Sequence, residues 1–229
     1  MSVPQPDDWD QSKPFYDLGS IKGKYLSSPQ NDFVAFSNVP IVAPAPGMER
    51  GGEELVSDLD FTINPGDHIL ITGPNGVGKT AIARVLAGLW PTFQGTLEVP
   101  QERDIFFIPQ RPYLSSGSLR DQVIYPWSHS QFLASGRTDE DLMEILKDVH
   151  LAYLPEREGG WDTRKEWKDV CSGGEKQRLQ YARAFFHLPK FVVLDEASSA
   201  VSTDVEGSLY SRAKELGMSE YSLCAWFHI

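Results

Sequence analysis

Gly73-Pro74-Asn75-Gly76-Val77-Gly78-Lys79-Thr80 obeys the pattern G-x-x-x-x-G-K-[ST], and the residues on either side supply the context that the pattern requires. His68-Ile69-Leu70-Ile71-Thr72 ahead of it is a short apolar run suited to a buried strand, and Ala81 to Leu89 behind it carries apolar residues at helical spacing. Strand, glycine loop and helix follow in the order that a phosphate site needs. The glycines allow consecutive backbone N–H groups to turn inward around a polyphosphate, a concavity that side chains would obstruct. The loop then enters a helix N-terminus, where unpaired N–H groups and the helix dipole favour an anion. Lys79 adds a mobile positive charge for the outer phosphates, and the Thr80 hydroxyl can ligate Mg²⁺. Chance would place the bare pattern in on the order of one chain in a hundred of this length. The eight residues therefore imply a nucleotide rather than an ordinary glycine-rich turn.

Bulk properties narrow the remaining classes. With 229 residues the chain can bury one good core, or one domain and an extension. A net charge of −11 without any basic block argues against a nucleic-acid partner, since phosphate backbones are held by clustered Lys and Arg. Cys171 and Cys224 form neither a disulfide framework nor a metal cluster, which fits a reducing compartment. No apolar run approaches the roughly 20 residues of a membrane helix, so any role at a membrane is expected to run through a partner. Met1 to Asp10 lacks the charged and then apolar leader of a secretory signal, and Phe227-His228-Ile229 is no peroxisomal import tripeptide.

Along the chain, residues 1–30 are rich in Pro, Asp, Ser and Gly and read as an extended or disordered lead-in to a domain over 31–229. Strands are predicted at Asp32 to Val42, Leu55 to Ile63, Thr96 to Val99, Ile105 to Ile108, Phe191 to Leu194 and Tyr221 to Ala225. Helices are predicted after the phosphate loop and at Ser118 to Tyr125, Asp139 to His150, Glu175 to Phe186 and Asp204 to Leu216. Leu151 to Val170, mostly polar with Trp161 and Trp167 embedded, reads as the surface of a helical subdomain. Strands alternating with helices around a phosphate loop imply an α/β fold with a mostly parallel sheet covered on both faces.

Two further stretches carry chemistry. Phe191-Val192-Val193-Leu194-Asp195-Glu196 is an apolar strand delivering two carboxylates at its C-terminal end, 116 residues beyond Lys79. Ligands of parallel α/β sheets sit at that edge, where Asp195 can reach Mg²⁺ and Glu196 can polarise a water aimed at a γ-phosphate. Alone, such a pair is more often a solvated strand end; with the phosphate loop in the same chain the functional reading wins. Ser172-Gly173-Gly174-Glu175-Lys176-Gln177 opens a helix with a hydroxyl and two glycines, again an anion-binding geometry. It is equally an N-cap with a capping box between Ser172 and Glu175, and local physics does not separate the two.

That hexapeptide, lying between a Walker A loop and a Walker B strand, resembles the signature of ATP-binding cassette (ABC) ATPases. Further stretches narrow the resemblance: Gly88-Leu89-Trp90-Pro91-Thr92, Ile108-Pro109-Gln110-Arg111-Pro112-Tyr113, Gly117 to Pro126, Arg157-Glu158-Gly159-Gly160-Trp161, Trp167-Lys168-Asp169-Val170 and Ser199-Ala200-Val201-Ser202 are similar to subfamily D. Those proteins are peroxisomal half-transporters for long-chain fatty acids and their CoA esters. The resemblance covers about residues 31 to 224 and implies a P-loop NTPase of ABC type, with a small antiparallel β part and a helical subdomain beside the parallel sheet. It implies ATP and Mg²⁺ as cofactors, held at Gly73, Pro74, Asn75, Gly76, Val77, Gly78, Lys79 and Thr80, with Thr80, Gln110 and Asp195 toward the metal. Gln110 and Glu196 would act on the attacking water. From residues alone, a Gln after a strand is usually only a turn residue. Ser172, Gly173 and Gly174 would close over nucleotide held by a second cassette, so a homo- or heterodimer is implied, together with a half-transporter's transmembrane domain and a place on the cytosolic face of the peroxisomal membrane.

The pattern also departs from the family. The aromatic that usually stacks on adenine would fall near Val42, which offers apolar contact instead. Cys171 replaces the usual leucine and is expected to pack as a small hydrophobe. The family's switch histidine should lie near Ala225, whereas His228 stands three places on, where a frayed side chain is expected. The simplest reading is a C-terminally truncated fragment or altered gene product diverging near Met218. Two rival readings stand beside transport: a cassette that binds ATP without hydrolysing it and serves as a regulatory or dimerisation module, and an incompletely folded remnant.

Overall fold

The structure, a computed structural model, describes residues 19, 21–45, 52–74, 76–195 and 201–224, with 219–224 described as backbone. In chain order the strands and helices are β1 (Lys24–Ser27), β2 (Val34–Pro44), β3 (Gly52–Ile63), β4 (Ile69–Thr72), α1 (Lys79–Leu86), β5 (Thr96–Val99), β6 (Ile105–Ile108), β7 (Gly117–Ser118), α2 (Leu119–Ile124), α3 (His129–Ala134), α4 (Asp139–Asp148), α5 (Leu154–Glu158), β8 (Arg164–Lys165), α6 (Trp167–Val170), α7 (Gly173–His187), β9 (Phe191–Asp195), α8 (Thr203–Glu215) and β10 (Ser219–Cys224). They fall into two compact units, Met1–Ile105 with Tyr221–Ile229, and Phe106–Glu220.

In the first unit a four-stranded sheet runs β1-β5-β2-β3. β2 pairs antiparallel with both β3 and β5, while β1 pairs parallel with β5 from Lys24↔Thr96 to Ser27↔Val99. β1 thus lies inside the stretch read from sequence only as an extended lead-in; all four of its residues are exposed, so no buried-strand pattern marks it. β2 is long and mostly buried, and its ladder with β3 slips between Phe36 and Val39, where Asn38 takes a left-handed φ of 51°. Phe36 and Phe61 stack across that ladder with ring centroids 4.8 Å apart. Helix α1 packs against β2, presenting Ala81, Ile82, Val85 and Leu86, all buried. In the same unit β4 pairs in parallel register with β10, from Tyr221↔Ile69 to Cys224↔Thr72, the arrangement that alternating strands and helices imply.

The second unit is built around α7, with α2 and α4 packed on it and β9 beside β6 in its sheet. Its core joins Ile108, Leu119, Leu142, Leu146, Leu179, Phe185, Phe186, Val192 and Leu194. Two corrections fall in the stretch expected to be a polar surface. Leu151 and Leu154 are fully buried, and Trp167 is 1% exposed, because its indole N–H donates to the Gly117 carbonyl at 2.9 Å and so meets no polar penalty inside. Cys171 is buried in the same core, as a small hydrophobe, and burial pushes its thiol up to about 11.

Candidate functional site

The first unit holds the phosphate loop. Gly78 caps α1 in a left-handed conformation, φ 103°, and a Cβ there would come within 3.2 Å of the Leu55 side chain on β3. Gly76 is left-handed too, φ 86°, and together these two positions require glycine. Lys79 is 7% exposed. Its ammonium turns back into the loop, donating to the Gly73 carbonyl at 2.8 Å and the Pro74 carbonyl at 3.0 Å. The charge is therefore held against the backbone of the loop. Thr80 follows in the first helical turn, exposed, and the N–H of Val77 closes the turn onto the Pro74 carbonyl at 3.4 Å. Backbone donors, a buried cation and a hydroxyl thus gather around one glycine-lined turn, a set suited to phosphate oxygens and a magnesium ion.

The second unit holds Gln110, Ser172, Gly173, Gly174 and Asp195. Gln110 is exposed, two residues past the end of β6, and Asp195 is the half-buried last residue of β9. Asn75 and Glu196 lie outside the described residues, as do Ala225 and His228. The capping box at the signature turn is realised: the Ser172 N–H donates to a Glu175 carboxylate oxygen at 2.7 Å, and the Glu175 N–H donates to the Ser172 hydroxyl at 3.3 Å. The two readings of this turn are compatible. The box fixes Ser172, while the first-turn amides of Gly173 and Gly174 belong to the helix positions that have no intrahelical acceptor.

Sequence reasoning missed what holds that box. Burial alone would raise the Glu175 pKa, but hydrogen bonds from Arg157, the Ser172 N–H and Tyr153 overcome it and hold the carboxyl at about 2. Arg157 reaches Glu175 at 2.5 Å and Glu158 at 2.5 Å; Lys165 reaches Glu158 at 2.7 Å; Tyr153 donates to Glu175 at 2.8 Å. The Glu158 carboxyl is held low as well, chiefly by Lys165. The sequence shows Arg157-Glu158-Gly159-Gly160-Trp161 only as a family likeness; its physical part is to clamp a buried carboxylate behind the signature turn. A pH dependence follows. Because the folded Glu175 pKa lies below its ordinary 4.5, its stabilisation is complete above about pH 4.5 and is lost as pH falls toward about 2. Urea unfolding from about pH 6 to about pH 3 should show a steeper acid loss for the wild type than for Glu175→Gln, and parallel curves would show that this carboxylate is not the source.

The fold and the phosphate loop define a P-loop ATP-binding domain of the cassette type, a class whose activity is ATP hydrolysis. The ABC transporter family's sequence profile matches residues 56–199, more than half of the chain, and the chain belongs to that family, as a nucleotide-binding domain of subfamily D. It is 45% identical over 193 residues to human ATP-binding cassette sub-family D member 3, covering 84% of this chain and 28% of that protein. It is 44% identical to ABC transporter D family member 2 of Dictyostelium discoideum, over 85% of this chain and 25% of the relative. Mouse lysosomal cobalamin transporter ABCD4 is 36% identical over 91% of this chain and 34% of its own length. Among solved structures, a bacterial Atm1-family ABC exporter with ATP bound superposes with a TM-score of 0.70 at 25% identity, over 86% of this chain and 35% of that one. The chain therefore spans between a quarter and about a third of each of these four proteins.

Proposed function

We propose that this chain is the ATP-hydrolysing cassette of a half-transporter that moves long-chain fatty acids or their CoA esters across the peroxisomal membrane from its cytosolic face. The observation that carries the reading is the phosphate loop, with Lys79 held 2.8 Å from the Gly73 carbonyl and a left-handed Gly78 opening α1. The loop amides and Lys79 bind the β- and γ-phosphates of ATP, and Thr80, Asp195 and Gln110 supply hard oxygen donors of the kind Mg²⁺ takes. When bound, that ion neutralises phosphate charge. Glu196 orients the attacking water and Gln110 helps hold it, so the step is in-line hydrolysis by positioning and electrostatics. Ser172 and the Gly173 and Gly174 amides cover nucleotide held by a second cassette, and closure of that pair drives a transmembrane domain. No helix among the described residues is long and apolar enough to cross a membrane.

The substrate rests on the subfamily D stretches and on the subfamily D relatives at 44–45% identity; the relative named for cobalamin is less similar, at 36%. The expected outcome in the source cell is that the tagged protein fractionates with peroxisomal membranes and that its loss slows oxidation of long-chain acyl-CoA. Fractionation with lysosomes and altered cobalamin handling would replace the substrate assignment and leave the cassette intact.

A further inference from the structure

The signature turn is joined to helix α8 through side chains that the site described above does not use. Arg178, one turn into α7, donates from Nε to the Gly174 carbonyl at 3.3 Å and from Nη1 to the His150 carbonyl at 2.8 Å. His150 Nε2 stands 2.9 Å from the Ser208 hydroxyl on α8. The Ser208 proton is already committed to the Val205 carbonyl at 2.7 Å, so His150 Nε2 must be the donor. That role is open to the neutral ring and to the protonated one alike, so the contact does not depend on the charge of His150.

The backbone at His150 adds a second, independent observation. It ends α4 in a left-handed conformation, φ 56°, with its own N–H on the Lys147 carbonyl and the Leu151 N–H on the Leu146 carbonyl. This is the helix-ending motif in which glycine is usual. A side chain placed there at a conformational cost is a pointer to function, and this one spends its ring nitrogen on α8. Nearby, Arg212 of α8 binds Asp148 at 2.9 Å, so α8 is held to the end of α4 at two points.

We propose that Arg178, His150 and Ser208 form a hydrogen-bonded tie that sets the orientation of the signature turn from α8, the helix that follows the strand ending in Asp195. His150 and Ser208 are then positioning residues: they touch no nucleotide but fix Ser172, Gly173 and Gly174 through Arg178 and the Gly174 carbonyl. Displacement of α8 reaches the signature turn through the side chains of His150 and Arg178, so the position of α8 and the readiness of the turn to meet a second cassette are coupled. The consequence for dimerisation rests on the cassette reading; the tie itself does not.

The test uses the full chain and the variants Ser208→Ala and Ser208→Thr. Amide hydrogen exchange at Glu175 and Lys176, whose N–H groups donate to the Ser172 hydroxyl and carbonyl, should quicken by about threefold to tenfold in S208A, the range of one net hydrogen bond, and return toward the wild-type rate in S208T. With Mg²⁺ and a non-hydrolysable ATP analogue, sedimentation should show S208A dimerising more weakly by a similar factor, while affinity of the single chain for a fluorescent ATP is unchanged. Wild-type exchange at Glu175 and Lys176 in S208A overturns the tie, as does quickening spread evenly over the whole second unit. A wild-type chain that takes up no nucleotide, yet shows the local exchange response, sinks the cassette reading and keeps the tie.

Discussion

Replacing Lys79 by alanine is expected to weaken binding of Mg-ATP by about a hundredfold or more while leaving the fold in place. The residue is 7% exposed, and its ammonium is held on the loop by the Gly73 and Pro74 carbonyls. A hydrogen bond to a charged group is worth about 1.5–3 kcal/mol net. A unit charge about 4 Å from a phosphate at an effective dielectric near 20 adds up to roughly 4 kcal/mol. Part of this is spent in releasing the loop carbonyls, which leaves about 3 kcal/mol, or two decades of affinity. The same two carbonyls explain why stability should hardly move: they lie in a partly exposed turn, so water can replace the ammonium, and the loss stays within about 1 kcal/mol. Titration with a fluorescent ATP analogue, alongside urea unfolding of K79A, separates the two quantities. An affinity within threefold of wild type would remove the loop from the nucleotide site.

The elements that sequence shows well are those whose signal is local. Ile105–Ile108 is found with its observed bounds because four apolar residues run into Pro109, and Phe191–Asp195 is found to within one residue, its end expected at Leu194, because an uninterrupted apolar run ends at a carboxylate. The phosphate loop is legible for the same reason, since its chemistry is backbone conformation dictated by glycine. Helix α3 was missed although Ser128 and Gln131 form a capping box around its start, a signal available in the sequence. The two-residue ladder Gly117–Ser118 with Arg164–Lys165 is too short to have a period. What could not be read are partners far apart in the chain. Glu175 looks like one half of a capping box, and nothing in the pattern says that Arg157, 18 residues away, holds its carboxylate. Trp167 reads as surface because hydropathy does not know that the Gly117 carbonyl, 50 residues away, takes its N–H.

Arg183 is the extreme case, and the variant Arg183→Leu is expected to destabilise the second unit by about 3 kcal/mol. The residue is 1% exposed in the middle of α7. Its guanidinium donates to the Gln122 carbonyl at 2.6 Å, the Tyr113 carbonyl at 2.6 Å and the Gln180 side-chain oxygen at 3.3 Å, and lies 5.0 Å over the Tyr125 ring. Those acceptors are neutral, and burial lowers its pKa to about 10, which still leaves it charged near neutrality. Leucine would strand the Gln122 carbonyl of a fully buried residue and take one of two donors from the Tyr113 carbonyl, the other being Gln180 at 2.9 Å. A stranded buried acceptor costs about 1–3 kcal/mol, and the smaller side chain adds a cavity. Relief of the buried charge offsets part of this, which sets the net near 3 rather than above it. Arg183→Lys keeps the charge, but one ammonium cannot span carbonyls from α2, α7 and the stretch after β6, so about half the loss should remain. Tyr113 stands three residues past Gln110, so the same change should loosen the stretch that presents that amide, seen as faster amide exchange between residues 110 and 115. Urea unfolding followed by emission of Trp127, Trp161 and Trp167, all within this unit, measures the loss. An R183L midpoint equivalent to less than about 1 kcal/mol would mean that these carbonyls find water as readily as the guanidinium.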